Sequence, residues 1–151
     1  MWNSKKSILL SIAVCFLVAA LLLGLAVAFP WLRDWYFLSV HGKLPEKGAI
    51  PAVTICFYLC LVPATWALYE LIRMLFRIRK DNPFCTENVK ALRHISWACA
   101  LAAVLCIIGA VWYLPLILIA VAAGFMAMIL RVVKNVMEKA VALREENDLT
   151  V

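Results

Sequence analysis

Residues 95–130 read ISWACALAAVLCIIGAVWYLPLILIAVAAGFMAMIL, 36 positions without a single Asp, Glu, Lys or Arg. As one helix they would extend about 54 Å, far beyond the ~30 Å hydrocarbon core of a bilayer. The run therefore divides into two spans, and "WYLPL" (Trp112–Leu116) is where it turns. Pro115 suits a first helical turn, where its missing N–H is not needed, and Trp112 and Tyr113 suit an interfacial belt. Upstream, residues 7–29 and 49–72 are also apolar over a spanning length. The expectation is an all-α integral membrane four-helix bundle forming a single domain over residues 1–151. Its spans are near 7–29, 49–72, 95–113 and 115–132, with a loop at 73–94 and a helical tail at 133–151.

Composition agrees. The 151 residues are 66% hydrophobic and 16% charged, against about 25% charged in a soluble domain. The net charge of +6 needs no nucleic acid to explain it, because a membrane protein facing an anionic inner leaflet carries such an excess. Its distribution gives an orientation. Lys5, Lys6, Arg73, Arg77, Arg79, Lys80, Lys90, Arg93, Arg131, Lys134, Lys139 and Arg144 fall on one side of a four-span layout; Arg33, Lys43 and Lys47 fall on the other. Twelve against three places both termini in the cytoplasm. "AVAF" (Ala26–Phe29) has the small-residue pattern of a signal cleavage site. The apolar segment before it exceeds the 7–15 residues of a signal core, so it is expected to remain as an anchor.

Rows of small residues recur at spacing four: Ala20, Gly24, Ala28; Ala52, Cys56, Cys60, Ala64; Ala98, Ala102, Cys106, Ala110; Ala120, Gly124. Such rows let helix backbones approach closely in lipid, either within one chain or between copies. Pro63 should kink the second span by removing its bond to Leu59. The six cysteines do not form a disulfide framework, since none lies in the external loop. Cys56, Cys60 and Cys106 fall at similar depth and are candidates for a soft metal such as Cu(I), with Met126 or Met128 assisting. Their simpler role is to pack as small buried hydrophobes, and no metal or cofactor is expected.

Catalytic constellations are absent from the sequence. Glu70 is the one acidic residue near membrane depth, and Arg73 and Arg77 follow at three and seven residues, a spacing that suggests a local ion pair. His41 and His94 belong to opposite sides, and Asp34 and Glu46 are the only external carboxylates. Cys85 is a loop thiol among basic residues. No nucleophile and base are paired, so a non-enzymatic protein is expected.

The informative stretches face the cytoplasm. In "RKDNPFCTENVKALRHISW" (Arg79–Trp97), Asn82-Pro83 marks a turn and Thr86 is placed to cap a helix, with Glu87 in its first turn. Val89, Leu92 and Ser96 share one face. In "RVVKNVMEKAVALREENDLTV" (Arg131–Val151), the stripe Met126, Ile129, Val133, Val136, Ala140, Leu143 continues past the membrane in alternating steps of three and four. The tip turns acidic at Glu145, Glu146 and Asp148, Asn147 is a helix stop, and "LTV" could add as a strand. The tail either packs against the 73–94 loop and the membrane or docks a partner, another copy included. The candidate partner contacts are Asn82, Pro83, Phe84, Asn88, Lys90 and Arg93 in the loop. In the tail they are Arg131, Lys134, Asn135, Glu138, Glu145, Glu146, Asn147, Asp148, Leu149 and Val151.

"NPFCTENVKALRHISW" and the tail resemble the signature ends of a bacterial family of four-span inner-membrane proteins, catalogued as a domain of unknown function. That family is often encoded beside a small Cro-like helix-turn-helix regulator. The resemblance implies a multi-pass protein of the bacterial inner membrane that anchors or partners such a regulator, and it supplies no catalytic residues. The expected function is that of a sensor, anchor or regulator acting through the loop and tail. The alternative is a small transporter or channel component, for a soft metal if the membrane cysteines serve as ligands.

Overall fold

The computed structural model describes residues 4–41, 49–80 and 85–149. They form four helices: α1 (Ser4–His41), α2 (Ala49–Arg79), α3 (Thr86–Gly109) and α4 (Leu116–Leu149). All four are long and apolar enough to cross a membrane, and no strand occurs among the described residues. The turn falls where the 95–130 run predicts it. Gly109 O accepts from both Trp112 N and Tyr113 N, at 3.0 and 3.1 Å, and Leu116 N donates to Tyr113 O at 3.0 Å. Pro115 stands immediately before α4, where no backbone donor is required.

α1 runs twelve residues beyond the expected end of its span, straight through Pro30. Proline cannot donate to the carbonyl four residues back. That carbonyl, Ala26 O, instead accepts a hydrogen bond from Tyr58 Oη of α2 at 2.9 Å. A neighbouring helix thus satisfies the group that the proline frees, which is how a membrane helix tolerates proline.

Successive helices pack antiparallel in chain order: α1 on α2, α2 on α3, α3 on α4. Among the described residues α1 packs against neither α3 nor α4, so the array is open along one side. Phe29 stacks on Phe57 between α1 and α2, with centroids 3.7 Å apart. Small residues line the next two contacts. Cys56 Sγ donates to Leu105 O at 3.3 Å, and Cys60 Sγ lies 3.8 Å from Cys106 Sγ. Between α3 and α4 a Cβ added at Gly124 would stand 3.9 Å from Ala103 Cβ, an ordinary van der Waals contact. The first small-residue row behaves differently: Ala20 and Gly24 are exposed, and nothing lies within 4 Å of where a Gly24 Cβ would stand.

The face of α4 that packs on α3 is Ala120, Ala127, Lys134 and Val141, a spacing of seven; Ala120, Ala127 and Val141 are buried. Ala123, Leu130 and Met137, half-buried, complete an a/d pattern. On α3 the matching positions are Val89, Ser96 and Ala103, all buried, and Ser96 Oγ donates to Ala127 O at 2.9 Å. The seam thus lies one residue out of phase with the stripe Met126, Ile129, Val133, Val136, Leu143, which is exposed. Inside the bilayer this inversion is expected, because large apolar side chains gain as much from lipid as from protein while small ones permit close backbone approach.

Candidate functional site

The end of the molecule that carries both described termini holds the residues of interest. α4 continues beyond Arg131 to Leu149, about 27 Å at 1.5 Å per residue, and does not stop at Asn147. It does not stand free. Val141 and Ala142 come against Thr86 and Val89, with Lys90, Arg93 and Glu138 around the same crevice. Packing of the tail on the loop-side turns of α3 is therefore realised, and the seam crosses from the apolar run into the charged region without a break.

A second crevice lies on the same flank, where the apolar run ends. Arg93, Ser96 and Trp97 of α3 and Arg131, Lys134 and Asn135 of α4 line about 230 Å³. The Arg131 guanidinium sits 5.5 Å from the Trp97 ring centroid, within cation–π range. Lys134 occupies a seam position, its side chain 13% exposed, and its Nζ reaches Glu138 Oε2 at 2.7 Å and Asn135 Oδ1 at 3.1 Å. Arg93 makes no hydrogen bond or ion pair among the described residues, though its charge acts on Glu138.

Several expected contacts are revised. Asn88 is 1% exposed, packed inside the first turns of α3, so it cannot present itself to a partner. Thr86 is the first helical residue and not the cap; Cys85 holds the N-cap position in extended conformation, without a side-chain cap bond. Glu70 does not pair with Arg73 or Arg77. It is buried, and its Oε1 meets His94 Nδ1 of α3 at 3.1 Å, while Arg73 lies over the Tyr69 ring and Arg77 Nη1 reaches Glu87 O at 3.5 Å. The carboxylate therefore ties α2 to α3. Lys90, Arg93, Arg131, Asn135, Glu138 and Glu146 are exposed. Glu145, Asn147, Asp148 and Leu149 lie on the last turns of α4, whereas Asn82, Pro83, Phe84 and Val151 lie outside the described residues.

The three thiols come near one another, but no group of three or more His, Cys, Asp or Glu side chains suited to an ion forms among the described residues. Cys56 has a packing role. A Cβ added at Gly109 would lie 2.5 Å from its Sγ, so the thiol fills the notch that the glycine leaves. At the opposite end, Arg33 joins Asp34 Oδ1 at 2.7 Å and donates to Thr54 Oγ1 at 2.6 Å, fastening α1 to α2. Tyr113 donates to Tyr36 Oη at 2.8 Å, a bond that, with some burial, pushes the Tyr113 phenol up to about 12. These cross-helix ties were not anticipated from sequence.

No curated protein and no solved structure matches the chain. The family model described as "Protein of unknown function (DUF2975)" matches residues 26–151, from the middle of α1 through all of α4. The chain belongs to that family.

Proposed function

We propose that the protein is a non-enzymatic, multi-pass protein of the bacterial inner membrane that docks a helical partner on the outward face of α4. The observation that carries this reading is the apolar stripe beyond Arg131. Val133, Val136 and Leu143 are 42%, 63% and 63% exposed, and the extension they occupy begins where the 36-residue uncharged run ends. Lipid accounts for such exposure inside the bilayer but not along a helix that leaves it. Val133, Val136, Ala140 and Leu143 keep the three-and-four spacing by which one helix packs on another, while the helix's other face is already committed to α3. The stripe has Lys139 and Glu146 to one side and Arg144 to the other, a mixed border that favours a protein over anionic lipid.

The excess of Lys and Arg at this end supports a cytoplasmic location. Within the cytoplasm, the resemblance noted above favours a small helix-turn-helix regulator, held at the membrane or released from it. Co-purification with a regulator encoded beside the protein tests this. Val136→Asp/Leu143→Asp should abolish capture while leaving the four-helix unit as heat-stable as the wild type, because both side chains are largely exposed. Capture that survives both substitutions contradicts the proposal. A shift of the wild type alone to twice its mass in detergent would assign the stripe to a second copy instead.

A further inference from the structure

We infer that the crevice between Arg93, Trp97, Arg131 and Lys134 is a binding site for the phosphate of an anionic phospholipid headgroup. Its depth is set by sequence. Arg93 is the last full charge before the 95–130 run and Arg131 the first after it. α3 and α4 are antiparallel, and the Ser96–Ala127 hydrogen bond joins them one turn inward from these residues. Both arginines therefore reach the level at which hydrocarbon gives way to headgroups, where an exposed Trp such as Trp97, 61% exposed, is also favoured.

The chemistry of the lining suits a phosphate. Arg93 and Arg131 have no carboxylate partner among the described residues, and guanidinium groups bind phosphate oxygens with two parallel N–H bonds. Arg131 is held above the Trp97 ring, which restricts its many rotamers before a ligand arrives. Lys134 is fixed from two sides by Glu138 and Asn135. Because Asn135 Oδ1 accepts from that lysine, its amide NH2 is the group left for a ligand. Ser96 has committed its proton to Ala127 O and forms floor, not a donor. Three cations thus surround a crevice whose neighbouring anion, Glu138, is taken up by Lys134. A lipid is favoured over a soluble phosphate because Trp97, which lines the crevice, is itself an exposed apolar surface against which an acyl chain can lie. The site is independent of partner docking, since the stripe of Val136 and Leu143 lies on another face of α4.

The test is retention of lipid by the purified full chain in neutral detergent, read by native mass spectrometry. Phosphatidylglycerol should be retained and phosphatidylcholine lost. Arg93→Gln/Arg131→Gln should weaken retention about tenfold, whereas Lys80→Gln/Lys139→Gln, which removes the same charge from the same end, should not. Equal retention of the two lipids by the wild type overturns the inference, and that comparison stands even if the arginine variant fails to fold. An equal loss in both double variants overturns it too, leaving only diffuse attraction. Displacement of phosphatidylglycerol by an equal concentration of glycerol 3-phosphate overturns the lipid assignment in favour of a soluble phosphate.

Discussion

At Gly109 a Cβ would lie 2.5 Å from Cys56 Sγ and 2.8 Å from Leu116 Cδ1. The leucine end can swing away; the thiol is held against Leu105 O and cannot move far. Gly109→Ala should therefore destabilise the protein by about 1–3 kcal/mol, and Gly109→Ala/Cys56→Ala should recover part of that loss. Thermal unfolding in detergent of the four members of this cycle would measure the coupling. If the cysteines are packing residues, replacing Cys56, Cys60 and Cys106 with serine should leave Cu(I) binding unchanged. Glu70 offers a second cycle. His94→Ala strands a buried carboxylate and should cost about 1–3 kcal/mol, whereas Glu70→Gln/His94→Ala should cost less, because a neutral amide tolerates burial better. The small-residue rows of α2, α3 and α4 were legible at spacing four, but the idle row of α1 and the Glu70 partner were not. Local spacing pointed to Arg73 and Arg77, and only the antiparallel fold of α2 against α3 brings His94 within reach.

At the scale of the helix, Pro30 and α4 show what periodicity can and cannot reveal. A proline at the end of an apolar run reads as a boundary, yet α1 continues because Tyr58 replaces the missing donor at Ala26 O. Tyr58→Phe should lower stability by about 1 kcal/mol, and should cost little once Pro30→Ala has restored the intrahelical bond. In α4 the period was legible and the phase was not. Large apolar residues mark a packed face in water, but Ala120, Ala127 and Val141 make the seam here, with Lys134 among them. Val141→Asp should therefore loosen the extension, raising amide exchange from Glu138 onward, while Leu143→Asp should leave exchange unchanged. The opposite ranking would restore the original phase.

Across the whole molecule, four spans, the position of the turn and the asymmetry of basic charge could be read from composition and hydropathy alone. The open, chain-order array could not, because nothing in the sequence says that α2 is the one helix α1 packs on among the described residues. On the proposals above, the α3–α4 pair is the part that leaves the membrane, bearing the inferred headgroup-level crevice on one flank and an apolar stripe on another face. In the proposed function this stripe lies in the cytoplasm and is covered there by a partner. Thiol labelling in cells tests both halves at once, using Val136→Cys in a chain whose six native cysteines are replaced by serine. A membrane-impermeant maleimide added to intact cells should leave the Val136→Cys thiol unmodified. A permeant maleimide should modify it several-fold more slowly in cells than in the purified protein. Modification by the impermeant reagent, or equal rates in cells and in isolation, would contradict the account.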